Sequence, residues 1–162
     1  MSNTTERNLS FLESNDAEAL AVNGQQVEWK CLKTLIDSGA SENVMSSKTT
    51  PWIPTKESEG SRRGQTYSSA NGSPMKNEGQ KNINFITDDG QSLSTTWQIA
   101  EVTKPLRSVA RICDNGMSVH FFADGGYMED TTNKRRLYFN REGNQYTHNE
   151  WVQASGFTRS SE

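Results

Sequence analysis

The sequence predicts an all-β fold, a small closed β-barrel with one short helix. Three observations point there. Apolar residues alternate with polar ones at a period of two, as in Ile83, Phe85 and Thr87 set against Asn82, Asn84 and Ile86. Turn signals containing glycine separate such runs at close intervals: Asn23-Gly24, Asn71-Gly72, Asp89-Gly90 and Glu142-Gly143. A single stretch, Ser108 to Asp114, suits a helix of about two turns. The count comes to about nine to eleven short strands, as an all-β barrel requires.

The elements follow in order. Residues 1–19 are polar apart from Leu9, Phe11 and Leu12, and read as a disordered linker. Ala19 to Val22 and Val27 to Leu32 flank Asn23-Gly24, a hairpin pattern. Leu35 and Ile36 carry the chain into Asp37-Ser38-Gly39, and Val44-Met45 forms a short exit strand. Residues 46–64 are rich in Ser, Thr, Pro and Gly and read as a loop. Within it, Trp52 and Ile53 between Pro51 and Pro54 pack an aromatic back onto the body. Tyr67 to Ala70, the turn Asn71-Gly72, and Lys81 to Thr87 follow.

Asp88-Asp89-Gly90 then turns the chain into Leu93 to Val102, where Leu93, Trp97 and Ile99 share a face. Asn115-Gly116 stops the helix in the manner of a C-cap. Met117, Val119 and Phe121 share one face of the next strand. Asp124-Gly125-Gly126 leads into Tyr127-Met128. Arg136 to Asn140 and Gln145 to Val152 complete the strands, and 153–162 read as a disordered tail.

The most informative run is Leu35-Ile36-Asp37-Ser38-Gly39-Ala40. Two apolar β-formers lead straight into an acid, a hydroxyl and a glycine. A buried strand would then end by presenting a carboxylate on a tight turn. Gly39 would permit a backbone conformation and a close approach that a side chain would block.

This run resembles the signature of the retropepsin family, the retroviral and retrotransposon aspartic proteases. "LIDSGASENVMSS" resembles the opening of proteases in copia-type retrotransposon polyproteins. "YSSANGSPMKNEGQKNINF" resembles their flap region, and "PLRSVARICDNGMSVHFF" their late strand–helix–strand segment. The three stretches span roughly residues 27–122. At the place where retropepsins usually carry a glycine before the late helix, this chain has Ser108.

The resemblance implies a barrel of the acid-protease type in residues 20–122. The strands of 123–152 resemble the segment joining protease to integrase, leading toward a following polyprotein domain. It implies an aspartic endopeptidase that processes such a polyprotein, working on an extended peptide. Asp37, Ser38 and Gly39 would form the catalytic turn, with Ser38 bonding across a dimer axis. Ala40, Ser41 and Glu42 would line the subsites, and Ala70, Asn71 and Gly72 would form the flap tip.

Such chemistry needs two carboxylates sharing a site. Like charges a few Å apart cannot both ionise cheaply, so one keeps a proton while the other activates water. Asp88-Asp89-Gly90 and Asp124-Gly125-Gly126 lack the preceding apolar pair and read as hairpin turns. The second acid would therefore come from a second copy in a C2 homodimer. Two other readings stay open. One is a catalytically silent retropepsin-like assembly or peptide-binding module. The other is an unrelated small β-barrel binding protein in which the acid turn is coincidental.

Composition bounds these readings. The chain has 162 residues, enough for one domain plus tails. Apolar residues make up 31%, against roughly 45–50% in ordinary globular chains. A thin core completed by a second copy fits that figure. Seventeen basic and twenty acidic residues are interspersed, giving net charge −3, so no basic stripe points to nucleic acid. Arg62-Arg63 and Lys134-Arg135-Arg136 read as solvated loops.

Cys31 and Cys113 are the two cysteines. Their spacing suits no zinc motif, and they read as two buried thiols of a reducing, cytoplasmic compartment, with a single disulfide as the alternative. His120, His148 and Cys113 match no metal spacing, and His120 is expected to face solvent. No cofactor and no metal are expected. The N-terminus lacks the apolar segment of a secretion signal, and no run is long enough to span a membrane. Trp29, Trp52, Trp97 and Trp151 read as core or dimer contacts.

Overall fold

The computed structural model describes residues 10–11 and 27–154, and the architecture is all-β. The expected Asn23-Gly24 hairpin lies outside the described residues. Within the expected linker, Ser10–Phe11 forms a two-residue strand, β1. The long strand β2, Trp29–Asp37, follows, with Leu32, Thr34 and Ile36 alternating into the interior. Next come β3 (Val44–Met45), β4 (Thr66–Ser68), β5 (Pro74–Lys76), β6 (Gly79–Ile86) and β7 (Ser92–Ile99). The chain ends with β8 (Leu106–Ser108), β9 (Met117–Phe122), β10 (Gly125–Asp130), β11 (Arg136–Glu142) and β12 (Gln145–Gln153).

Ten strands share one sheet, in the order β1-β7-β3-β8-β2-β12-β11-β10-β9, with β6 pairing to both β7 and β12. The contact between β6 and β12 is made at Trp151↔Ile86. β4 and β5 form a separate two-stranded sheet. β2 lies centrally: β12 runs antiparallel to it from Thr147↔Leu35 to Gln153↔Trp29. On its other side β8 runs parallel, pairing Leu35↔Leu106 and Asp37↔Ser108.

The interior is built from the faces that alternation selects. Ile83, Phe85 and Thr87 of the β6 region are buried, as are Leu93, Trp97 and Ile99 of β7. They pack with Leu32, Ile36, Met45, Ile112, Met117, Met128, Leu137, Phe139 and Val152, and with the half-buried Trp52 and Ile53. Asp88-Asp89-Gly90 and Asp124 are turns, as their sequence context requires.

The strands of 123–152 are part of this same body. β12 sends His148 and Glu150 into the interior, where Glu150 meets Arg107 of β8. Arg107 Nε donates to Glu150 Oε2 at 2.7 Å, and His148 Nδ1 lies 2.8 Å from the same oxygen. Thr34 of β2 donates its hydroxyl there as well, at 3.1 Å. The Arg107 guanidinium lies against two aromatic rings, 4.8 Å from the Trp97 ring centroid and 5.4 Å from that of Phe85. Burial opposes ionisation of Glu150, but Arg107 and His148 outweigh it and hold the carboxyl down at about 2. One buried ion cluster therefore fastens β2, β8 and β12 together.

Two features differ from the sequence expectation. The 46–64 loop carries its own structure: a 3-10 turn at Ser47–Thr49 and a helix, α1, at Glu59–Arg63. α1 is short but doubly capped, Ser58 and Ser61 exchanging side-chain and backbone bonds and Gly64 adopting φ 71° behind it. The expected helix is α2, Val109–Asp114. Second, Cys31 is part-buried and Cys113 exposed, so the two free thiols are not both buried. Of the tryptophans, Trp97 is fully buried in the core, and Trp29 and Trp151 are exposed. Among the described residues, no helix is long and apolar enough to cross a membrane.

Candidate active site

The acid turn forms where β2 ends. Asp37 is half-buried, and Ser38 and Gly39 beyond it are exposed. The Gly39 amide donates to Asp37 Oδ1 at 2.8 Å, so the turn's own backbone orients the carboxylate. Gly39 does not take a positive φ. A Cβ placed there would find Asp37 Oδ1 at 3.4 Å, an ordinary contact. The glycine is therefore not required by backbone strain. It keeps the space beside the carboxylate free of a side chain.

The turn is held from below by β8 and α2. Ser108, fully buried, is the hub. Its hydroxyl donates to the Ala40 carbonyl at 2.7 Å and accepts the Arg111 amide at 3.1 Å, capping α2. Its own amide donates to Asn43 Oδ1 at 2.8 Å. A glycine here would supply neither the clasp on Ala40 nor the cap.

Ala40, Ser41 and Glu42 continue from the turn. Ala40 is half-buried and Ser41 exposed. Glu42 is engaged by neighbours rather than left open: Arg111 Nη2 lies 3.4 Å from Oε2, Tyr67 donates its hydroxyl to Oε1 at 3.4 Å, and Gln65 Nε2 reaches Oε2 at 3.5 Å. Burial pushes the Tyr67 phenol well up, and the Glu42 carboxylate adds to the effect.

The flap-like hairpin is β4–β5. Its tip is closed by Ser69 N–H to the Ser73 carbonyl at 2.9 Å and by Gly72 N–H to the Ser69 carbonyl at 2.9 Å. Gly72 takes φ +87°, which explains glycine at this position. Ala70, Asn71 and Gly72 are all exposed at the tip. The base is anchored by the buried Asn77, whose Nδ2 reaches Gln65 Oε1 at 3.1 Å, the Tyr67 hydroxyl at 3.0 Å and Gln98 Oε1 at 3.0 Å. The hairpin therefore stands off the main sheet on a fixed root.

Sequence reasoning placed the acid turn and the hairpin but missed the residues that join them. A serine just before the helical stretch is an N-cap signal that could have flagged Ser108 as the cap of α2. Tyr67, Asn77 and Arg111 carry no such local signal, because their meeting point is made by the fold.

His120 is partly exposed, stacked on Tyr127 with ring centroids 4.5 Å apart, and Ser118 Oγ lies 2.9 Å from its Nε2. His148 is buried with Glu150. Among the described residues, no group of three or more His, Cys, Asp or Glu is placed to hold a metal ion. No family model, no curated protein and no solved structure matches this chain.

Proposed function

We propose that this chain is an aspartic endopeptidase domain of a retrotransposon polyprotein, active as a C2 homodimer. The observation that carries the reading is the Asp37 turn. A half-buried carboxylate ends a central strand, is oriented by the Gly39 amide, and is clasped from beneath by Ser108. A hairpin with a glycine tip stands on a fixed root nearby in the same polar network. In this reading the two Asp37 carboxylates of a dimer share one proton and hold a water. The ionised one takes the water's proton, and the protonated one donates to the scissile carbonyl. Ser38, exposed on the turn, is free to bond across the two-fold axis, and Gly39 leaves room for the peptide.

The pairing circuit β7-β3-β8-β2-β12-β6, which returns to β7, supports a small barrel. The free thiols of Cys31 and Cys113 support a reducing compartment. The test is to incubate the chain with a peptide library at mildly acidic pH, with and without pepstatin. Pepstatin-sensitive cleavage that disappears in Asp37→Asn supports the reading. Peptide binding without cleavage at any concentration would leave the silent-module reading in its place.

A further inference from the structure

At the Glu42 carboxylate three elements around the acid turn meet. Tyr67 comes to it from β4, Gln65 from the segment between α1 and β4, and Arg111 from α2. Its side chain is 22% exposed and that of Arg111 37%, so the ion pair is neither sealed nor fully solvated. Arg111 is also shared with Asp114, at 3.2 Å on the exposed side. All three contacts to Glu42 lie between 3.4 and 3.5 Å, longer than the bonds of the Ser108 clasp. α2 itself begins at Ser108, which grips Ala40. Tyr67 of β4 and the Arg111 side chain therefore meet at Glu42, while the Arg111 backbone amide is held by Ser108, which grips Ala40 of the acid turn.

We propose that Glu42 is a positioning residue, a latch that sets the resting position of the β4–β5 hairpin over the acid turn rather than a wall of a subsite. This rests on the reading of Asp37 as the catalytic acid and names how that site is gated. Among the described residues β4 and β5 pair only with each other. Backbone bonds hold the root, Asn77 N–H to the Gln65 carbonyl and Glu78 N–H to the Ile99 carbonyl. Beyond it the Tyr67–Glu42 contact ties the hairpin to the acid-turn side. Asn77 fixes the root by neutral bonds. Glu42 contributes a charged acceptor for Tyr67. Three long bonds to one carboxylate can be exchanged for bonds to water as the hairpin opens, whereas the short Ser108 bonds hold the turn during that motion.

The test reads the hairpin directly, without any substrate. Amide hydrogen exchange is measured in the full chain for Tyr67, Ser69, Met75 and Asn77, which lie at the hydrogen-bonded positions of the hairpin, in the wild type, Glu42→Gln and Glu42→Ala. The expected result is roughly tenfold faster exchange in Glu42→Ala, the scale of one lost charged hydrogen bond. Glu42→Gln, which keeps an acceptor of the same shape, should fall between. In parallel, the Tyr67 phenol is followed by ultraviolet difference titration against Tyr67→Phe, and its pKa should drop when the Glu42 charge is removed. Unchanged hairpin exchange in both Glu42 variants would overturn the proposal, whatever happens to cleavage. Should Glu42→Ala fail to fold, the Glu42→Gln exchange and titration still decide. If the exchange shifts as expected while no variant cleaves any peptide, the latch stands and the protease reading falls. If the wild type cleaves, the latch also predicts a change in KM larger than the change in kcat.

Discussion

Asp37 and Ser108 are register partners in the parallel pairing of β2 with β8, so the acid turn and the start of α2 leave the sheet side by side. The Ser108 hydroxyl bridges that gap to the Ala40 carbonyl at 2.7 Å while capping the helix. Two roles meet in one buried oxygen. Ser108→Ala removes both, at an expected cost of about 1–3 kcal/mol, from a lost cap plus a buried carbonyl left without its donor. Chemical denaturation read by tryptophan fluorescence measures this. Ser108→Gly should cost more, because it also adds backbone freedom at a strand–helix junction. Stability equal to wild type in Ser108→Ala would mean that Asn43 alone secures the turn.

Asp37→Asn separates chemistry from architecture. Asparagine keeps an oxygen that can accept the Gly39 amide, so the turn should persist. Stability should stay within about 0.5 kcal/mol of wild type, as for most substitutions that keep their contacts. Cleavage, if the proposed function holds, should vanish. An Asn variant that still cleaves would remove Asp37 from the mechanism.

In the proposed function a single acid turn needs its second carboxylate from another copy of the chain. Activity per chain should rise with protein concentration through the range of the dimer constant and then level off. Analytical ultracentrifugation over the same range gives the independent measure. A monomer that cleaves at constant specific activity would contradict the two-chain site.

The acid turn was legible in the sequence because strand, acid and glycine are consecutive. The β6 and β7 faces were legible because alternation survives burial on one side, as Ile83, Phe85, Trp97 and Ile99 show. α1 was not legible, since a helix of Glu59–Arg63 is too short for a 3.6-residue period and is held by the Ser58–Ser61 cap. The buried ion cluster was invisible for a different reason. Arg107, His148 and Glu150 read as polar residues on alternating strands, and only the adjacency of β8, β2 and β12 brings them to one point. The same holds for Glu42, Tyr67 and Arg111. Local propensity locates elements, whereas polar side chains that meet across elements need the topology.

Glu150 makes the fold sensitive to acid in a defined window. Its carboxyl sits at about 2 in the folded chain, against an ordinary value near 4.5. The folded pKa is depressed, so the stabilisation is fully present above the unfolded value and is lost as pH falls from about 4.5 toward 2. The amount at stake is about 3 kcal/mol by linkage. Urea denaturation at pH 6, 4 and 3 should show a fall in stability that is flattened in Glu150→Gln. That variant starts lower, because Arg107 is left as a buried, uncompensated charge. A double variant, Arg107→Met with Glu150→Gln, should recover part of the loss and stay flat. An unchanged pH slope in Glu150→Gln would place the acid sensitivity elsewhere.

The pH dependence of cleavage can be separated from this stability effect. In the proposed two-chain mechanism, turnover needs one carboxyl of the pair protonated and the other ionised. The rate should therefore follow a bell on the acid side of neutrality, with both limbs belonging to the pair. His120 is the histidine to exclude by mutation, because it is partly exposed and its stacking on Tyr127 tolerates change. His148 is unsuitable, since replacing it would disturb the buried Glu150 cluster and confuse rate with folding. In His120→Gln the bell should keep its position and width, measured at temperatures and pH values where circular dichroism shows the chain folded. Loss of one limb in that variant would make His120 the base and would end the two-aspartate mechanism.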